Sequence, residues 1–285
     1  MRRRTLLASL GTTVLAGCNG SNAGSGSDST PTATPTRTVG KTPTATFPFE
    51  FTGVDAPETV QLNVPFTFAV GVRNAGERER TFVSKLSLKV DDGEWRTASG
   101  QMQMTLSPGE KGVWKSPRGI PRYLGTYHYR LEAFDETWQT EIVPKKLDFS
   151  KRYATPKGLY VNVLGGRFES QYPTPGGSND TSATSVSAPE GKVWLLLRVE
   201  VRNSTQSPMK SPPAEEFVVH VGGESYHPDY QEVTDDPYER MELGARTVTR
   251  GDLVYAVPKG TTAKDLTVTW AESLPGGDVK AVWSK

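Results

Sequence analysis

Apolar and polar residues alternate along most of the chain beyond residue 47. Every second position is apolar in several short runs, among them Phe66 to Val72 and Tyr127 to Leu131. A period of two is typical of strands with one buried face, and no long run has the helical period. Short runs of this kind, separated by glycine, proline and asparagine, predict an all-β fold.

The first group of alternating runs lies within residues 48–149. In one run Leu86, Leu88 and Val90 form the apolar face, and Asp92-Gly93 then predicts a hairpin turn before Trp95. About seven short strands in roughly one hundred residues suit two packed sheets. We therefore expect an immunoglobulin-like β-sandwich in residues 48–149.

A second group of runs occupies residues 153–285. The apolar positions that alternate from Val193 to Val201 predict one face of a central strand. The opposite face is apolar at Trp194 and Leu196 but charged further on, so we expect this face to be covered at one end and solvated at the other. Gly222-Gly223 predicts a second hairpin. The polar, glycine-rich segment between Glu169 and Lys192 predicts a long loop.

The two groups share short sequences at comparable places. VRNAG at 72–76 matches VRNST at 201–205, and LSPGEKGVW at 106–114 is loosely echoed by LGARTVTRGDLVY at 243–255. Each asparagine is expected to turn the chain, since its side chain bonds to nearby backbone. Two related immunoglobulin-like sandwiches in tandem explain the repetition.

The N-terminal residues have the order of an export signal. Three arginines precede an apolar stretch from Leu6 to Ala16, which is too short to span a bilayer as a helix. Arg3 and Arg4 begin a segment, RRTLL, that resembles a twin-arginine signal. Leu15, Ala16 and Gly17, followed by Cys18, resemble a lipobox. This predicts a signal peptide at 1–17 and a lipid on Cys18, which places the protein on the extracytoplasmic face of the membrane.

Residues 18–47 differ in composition from the rest of the chain. They are rich in Gly, Ser, Thr and Pro and too poor in apolar residues to form a core, so they predict a disordered tether, with or without sugars on its threonines. Cys18 is the only cysteine. Once it is lipidated, the mature chain has no thiol for disulfides, catalysis or metal binding.

The charge balance also limits the function. The net charge is +1, and removal of the signal leaves 30 basic and 32 acidic residues. A nucleic-acid partner is not expected, because binding to nucleic acid normally needs a concentrated basic face. The leader looks like those of salt-loving archaea, although their exported proteins are usually more acidic.

Two family resemblances follow from the motifs. Val70 to Gly76, Leu106 to Gly109 and Gly125 to Tyr127 make the first domain similar to the cell-adhesion-related domains found in bacteria. KVWLLLRVEVRN at 192–203, EEFVVHVGGESY at 215–226 and GDLVYAVPKG at 251–260 make the second resemble a domain family of unknown function once mislabelled as telomeric repeat-binding factors. That family implies an immunoglobulin-like sandwich in exported lipoproteins, with no catalytic residues to carry over.

Candidate chemistry is sparse. His128 and His220 fall on the polar phase of strands and are expected to be solvated, and no serine lies in a recognisable nucleophile motif. Near His227, one loop carries four acids suited to calcium but lacks the glycine and spacing of an EF-hand: Asp229, Glu232, Asp235 and Asp236. We expect an ordinary solvated loop there, no cofactor and no enzymatic activity.

Two asparagines in the folded part lie in N-glycosylation sequons, Asn179 and Asn203. Asn179, in the long loop, is the better acceptor, whereas Asn203 is expected to serve as a turn residue.

Two functions remain open. The first is a non-catalytic surface module that binds a protein, glycan or envelope component, with the loops Glu169 to Lys192 and Pro228 to Glu239 as its recognition surface. The alternative is a small-ligand-binding or accessory lipoprotein of a transporter or surface enzyme. A rigid junction with a lined cleft at Lys145 to Tyr153 would favour the small ligand, and a flat face with exposed aromatics would favour a macromolecule.

Overall fold

The computed structural model describes residues 47–173, 185–229 and 234–285. Nearly all regular structure in these ranges is β-strand, as the alternation predicted, and the one helical segment among them is a single 3₁₀ turn at Ala214–Glu216. No helix in the described part of the chain is long and apolar enough to cross a membrane. The predicted export signal and nearly all of the predicted tether lie outside the described residues.

Eight strands form the first β-sandwich: β1 (Phe49–Asp55), β2 (Thr59–Gln61), β3 (Ala69–Asn74), β4 (Arg80–Val90), β5 (Arg96–Leu106), β6 (Lys111–Lys115), β7 (Gly125–Leu131) and β8 (Glu136–Val143). One sheet has the order β1-β3-β6, and the other has the order β2-β8-β7-β4-β5. Apolar side chains from both sheets fill the space between them, including Val70, Val72, Phe82, Met102 and Leu131. This confirms the buried faces predicted for these runs.

The described residues from Lys145 onward form a second β-sandwich with two main sheets. Its strands are β9 (Lys145–Asp148), β10 (Arg152–Ala154), β11 (Leu159–Glu169), β12 (Gln171–Pro173), β13 (Ser185–Ser187), β14 (Lys192–Asn203), β15 (Met209–Lys210), β16 (Phe217–Val221), β17 (Glu224–Tyr226), β18 (Glu242–Leu243), β19 (Val248–Pro258), β20 (Leu266–Leu274) and β21 (Gly277–Ser284). The sheets have the orders β10-β11-β14-β19 and β17-β16-β20-β21-β9, and two small ladders, β12-β13 and β15-β18, lie beside them.

The predicted central strand behaves as expected. β14 lies between β11 and β19, and its residues Leu195, Leu197, Val199 and Val201 are fully buried. On the opposite face Trp194 and Leu196 are covered by Tyr172 of β12 together with Val186 of β13. One end of the outer face is therefore buried and the other is solvated, as the change from apolar to charged residues predicted.

The matched sequences VRN occupy equivalent positions in the two sandwiches. Asn74 ends β3 opposite Phe49, the first residue of β1, and Asn203 ends β14 opposite Leu159, the first residue of β11. Both asparagines are completely buried. The likeness therefore extends from sequence to strand register, as expected for two related modules.

The hydrogen bonds of these asparagines also correspond. The Asn74 amide donates to the carbonyls of Arg78 and Leu106, each at 2.8 Å. The Asn203 amide donates to the carbonyls of Ser207, Leu243 and Gly244, at 2.8, 3.1 and 3.0 Å. Leu106 and Leu243 begin the two segments that the sequence comparison paired. The Asn74 amide thus ties its strand end to the facing sheet, and the Asn203 amide ties its strand end to β18 of the small ladder.

One predicted hairpin turn is confirmed and the other is built differently. Gly222 and Gly223 have φ of 59° and 90°, and they join β16 to β17. In the turn after β4 the positive φ of 48° falls on Asp91 rather than on Gly93. The Asp91 carboxylate accepts a bond of 2.8 Å from the Thr126 backbone nitrogen, which holds the aspartate in this conformation.

The two sandwiches meet at a filled junction. β9 pairs in parallel with β21, so the connecting segment is itself a strand of the second sandwich. Val60, Leu62 and Ile142, at one end of the first sandwich, belong to the same buried cluster as Tyr153 and Val279 of the second. The division into domains at 149 and 153 stays a prediction, since the shared cluster joins the two sandwiches within one compact unit.

Candidate functional site

Several residues predicted to be functional lie outside the described residues. These are the lipidation and export positions and one of the two glycosylation candidates, namely Arg3, Arg4, Leu15, Ala16, Gly17, Cys18 and Asn179. Their roles stay predictions.

The other glycosylation candidate, Asn203, is part of the folded framework. Its amide nitrogen, where a glycan would be attached, is buried and donates to three backbone carbonyls. Its side-chain oxygen accepts a bond of 2.9 Å from the Thr205 backbone nitrogen. The folded protein therefore does not offer this nitrogen to a glycosyltransferase, which agrees with the turn role expected from the sequence.

The acidic loop does not assemble a calcium site in its described part. Asp236 pairs with Arg198 at 2.5 Å, and Arg198 also contacts the buried Asp252 at 3.1 Å. Glu232 lies outside the described residues. Within the described ranges no three His, Cys, Asp or Glu side chains are grouped so as to hold a metal ion. Asp236 thus neutralises an arginine instead of contributing to a cation site with Asp229 and Asp235.

The described end of this loop runs along the edge of β19, and we call residues 234–238 the strap. The Asp252 nitrogen donates to the Asp236 carbonyl at 2.8 Å, and the Tyr238 nitrogen donates to the Asp252 carbonyl at 3.0 Å. Tyr238 is buried against Phe217, and its hydroxyl donates to the Pro212 carbonyl at 2.8 Å. Tyr238 is therefore part of the core rather than of a recognition surface, whereas Asp235 and Asp236 are exposed and the recognition role of this loop stays a prediction.

The side chain of His220 is held between two strands. His220 was expected to be solvated but is half-buried, with Ser225 Oγ at 3.0 Å from Nδ1 and Thr269 Oγ1 at 3.0 Å from Nε2. Burial, together with the nearby Lys280 and His227, lowers the pKa of His220 below its usual value. Both ring nitrogens thus contact hydroxyl groups, so neither is oriented by a carboxylate in the way that a catalytic triad requires.

A surface with an aromatic centre lies on the outside of the five-stranded sheet of the first sandwich. Lys89 on β4 is paired with His128 on β7, and Arg130 lies further along β7 on the same face. Trp95, partly exposed, lies beneath both cations, with Lys89 Nζ at 5.4 Å and Arg130 Cζ at 4.7 Å from its ring centre. We call Lys89, Trp95, His128 and Arg130 the tryptophan face.

The two cations of the tryptophan face are not neutralised by ion pairs. Within the described ranges neither Lys89 nor Arg130 has a carboxylate within 4 Å. Cation–π contacts instead place both cations against the indole ring. The surface can therefore offer an aromatic group together with positive charge to a binding partner. Sequence reasoning missed it because Lys89 and Arg130 lie on strands whose pairing was not known.

A second candidate is an opening between the two sheets of the first sandwich, which we call the sheet cleft. Its volume is about 220 Å³. The walls are mostly apolar and aromatic: Phe66, Phe68, Leu86, Leu88, Ala98, Trp114, Tyr127 and Tyr129, with the segment Ser116 to Pro121 at the mouth. The sequence pattern placed these residues in a core but did not predict a gap between the sheets.

The opening beside Leu124 at the junction between the sandwiches, of about 260 Å³, has the charged side chains Glu272, Asp278 and Lys280 among its walls, unlike the apolar cleft that the alternative function required. Tyr123 fills the space beside Gly276 and Gly277, and the Leu124 nitrogen donates to the Asp278 carbonyl at 2.8 Å. The Asn63 amide donates to the Ala154 carbonyl at 2.7 Å. The junction is rigid, but the apolar cleft lies inside the first sandwich.

Neither a protein-family model nor a curated protein sequence matches the chain. The two family resemblances noted in the sequence therefore stay predictions.

Comparison with solved structures finds proteins of low sequence identity, one of which is named as a β-sandwich protein. An uncharacterized β-sandwich protein of Clostridium difficile is 14% identical over 52% of this chain and 99% of its own length, with a TM-score of 0.34. The yjhA protein of Bacillus subtilis is 13% identical over 48% of this chain and 97% of its own, with a TM-score of 0.34. The ycdA protein of the same organism, named as a candidate lipoprotein, is 15% identical over 47% and 38%, with a TM-score of 0.30. These values are too low to support a functional argument.

Proposed function

We propose that the mature protein is a non-catalytic lipoprotein on the extracytoplasmic face of the cell membrane, where it binds a protein, glycan or other envelope component. The leader supports the location: Arg3 and Arg4 direct export by the twin-arginine route, and cleavage before Cys18 leaves a lipid-bearing N-terminus on an extended tether. We further propose that the source is an archaeon, that the partner is not a nucleic acid, and that the protein binds no cofactor.

The observation that carries the binding role is the tryptophan face. Tryptophan and arginine are the residues that most often dominate binding energy at interfaces. Here Trp95 already contacts Arg130 and Lys89, so these contacts reduce the conformational entropy that is lost when a partner covers it. An indole with two cations on the outer face of a sheet favours a macromolecular partner over a small one.

The test uses the mature chain with Cys18→Ser, which removes the lipid and so separates binding from anchoring. We expect this protein to co-sediment with isolated cell envelopes and to lose at least about tenfold in affinity in the variant Trp95→Ala/Arg130→Gln, which corresponds to about 1.4 kcal/mol. A matched variant, Lys111→Gln/Lys115→Gln, removes two cations from β6 on the other sheet and should bind as the parent does. Equal binding by all three proteins would contradict the proposal.

The anchor is tested separately in native cells. The mass of the N-terminal peptide should correspond to a chain that begins at a lipid-modified Cys18, and the Cys18→Ser variant should appear in the medium instead of the membrane fraction. An uncleaved N-terminus on protein recovered from the cytosol would remove the basis of the proposed location.

The sheet cleft favours the second candidate function, a small-ligand-binding or accessory lipoprotein of a transporter or surface enzyme. The apolar lining and the rigid walls are typical of ligand sites.

A further inference from the structure

We propose that the sheet cleft binds a small amphipathic carboxylate, with its apolar part between the sheets and its carboxylate at Arg118. This inference does not depend on the tryptophan face, which lies on the outer side of the same sheet. It assigns a ligand class to a cavity that the macromolecular role leaves unused.

The size of the sheet cleft limits what it can hold. Its volume of about 220 Å³ exceeds that of a cavity of about 150 Å³ known to hold a benzene molecule, but it is below the roughly 300–1,000 Å³ of sites for drug-sized ligands. A medium-length alkyl chain or a single substituted ring is therefore the appropriate apolar part.

The lining determines the polarity of the ligand. Phe66, Phe68, Trp114 and Leu88 offer apolar and aromatic surface to the interior. Among the described residues that line the cleft, Arg118 is the one ionisable side chain apart from two tyrosines, and none is a carboxylate. Burial raises the pKa of the Tyr129 hydroxyl, so the tyrosine stays neutral and does not repel an anion. An apolar interior with a single cation at its mouth is complementary to an apolar molecule with one negative charge.

The mouth of the sheet cleft is held in a fixed position. Phe66 and Gly119 exchange two backbone hydrogen bonds, of 2.9 and 3.0 Å. The Ser116 nitrogen donates to the Phe68 carbonyl at 2.8 Å, and the Phe68 nitrogen donates to Ser116 Oγ at 3.0 Å. These bonds tie residues 116–119 to residues 66–68, which lead into β3. The opening is thus preformed, which lowers the entropic cost of binding.

The experiment uses isothermal titration of the mature Cys18→Ser chain with three probes of equal chain length: octanoate, octanol and octylamine. We expect saturable binding of octanoate, about tenfold weaker binding of octanol, which lacks the charge, and no binding of octylamine. Equal affinity for octanoate and octanol, or no saturable binding of octanoate, would overturn the proposal.

Two kinds of variant locate the site. Arg118→Gln should lower the affinity for octanoate about tenfold and leave that for octanol unchanged, whereas Arg122→Gln, which alters a neighbouring exposed arginine outside the lining, should change neither. Ala98→Phe places a ring in the cleft and should abolish both, with Leu88→Phe as the second filling variant if the first does not fold. Equal effects of Arg118→Gln and Arg122→Gln would show that the octanoate binds elsewhere.

Discussion

At the scale of single residues, the two buried asparagines are the most informative side chains. A buried polar group is costly unless it is hydrogen-bonded, and each asparagine uses both its amide nitrogen and its oxygen in the fold. Asn74 and Asn203 thereby donate hydrogen bonds to backbone carbonyls at strand ends, those of Leu106 and Leu243. The sequence predicted asparagine turns here, but not that the Asn74 amide reaches the facing sheet or that the Asn203 amide reaches β18.

We expect Asn203→Ala to lower the free energy of unfolding by about 2–4 kcal/mol. The substitution leaves the carbonyls of Ser207, Leu243 and Gly244 without this donor in a buried place. Urea unfolding followed by tryptophan fluorescence measures the change. Gln103→Ala, at an exposed position on the edge strand β5, is the control and should stay within about 0.5 kcal/mol of the parent. If Asn203→Ala also changed the free energy of unfolding by less than about 0.5 kcal/mol, water would be replacing the amide as the donor to these carbonyls.

At the scale of elements, the strap shows how a loop can protect a strand. β19 is the last strand of its sheet, and an unprotected edge invites pairing with other chains. The strap covers part of this edge through backbone bonds at Asp252, while its Asp236 carboxylate pairs with Arg198 of the neighbouring strand β14. The strap thus depends on close contact between two backbones.

Gly251→Ala should displace the strap and lower the free energy of unfolding by about 1–3 kcal/mol. A Cβ atom at residue 251 would lie 2.4 Å from both the nitrogen and the Cα of Tyr238, and backbone atoms of this kind cannot simply rotate away. The measurement combines urea unfolding with limited proteolysis, where cleavage between residues 228 and 239 should accelerate. Gly244→Ala is the matched control, because its nearest neighbour is a side-chain atom at 3.5 Å. Equal stability of the two variants would contradict the role of the close approach.

Strands were predictable from the sequence because their signal is local. The alternation at β4, β7 and β14 and the glycine pair after β16 contain what is needed to recognise them. The strap, the cover that β12 and β13 provide over Trp194, and the sheet cleft depend on which distant segments meet. An irregular segment such as Ser116 to Pro121 has no periodic pattern. Its hydrogen bonds to Phe66 and the sheet cleft next to it therefore could not be predicted from the sequence.

At the scale of the whole molecule, the filled junction joins two modules that the sequence divides. Leu62 follows β2 of the first sandwich but is completely buried in the cluster that continues into the second. The shared cluster, the strand β9 and the bonds at Asn63 and Leu124 all oppose independent motion. Surfaces on the two sandwiches therefore keep a fixed geometry towards a partner.

We expect the parent protein to unfold in a single calorimetric transition, and Leu62→Ala to lower its stability by about 2–5 kcal/mol and to separate the transition into two. The substitution removes apolar contact from the junction alone. Leu131→Ala, which is equally buried but lies within the first sandwich, should lower stability without separating the transition. Two transitions in the parent protein would show that the sandwiches unfold independently.

The pairing of β9 with β21 also has a consequence for biosynthesis. Lys145–Asp148 leaves the ribosome well before its partner Gly277–Ser284, so this junction strand has no neighbour in its sheet while residues 149–276 are translated. During that interval the buried cluster that contains Val60, Leu62 and Ile142 lacks its three members from β21, namely Val279, Ala281 and Trp283. We therefore expect chaperones to bind the nascent chain until β21 has been translated.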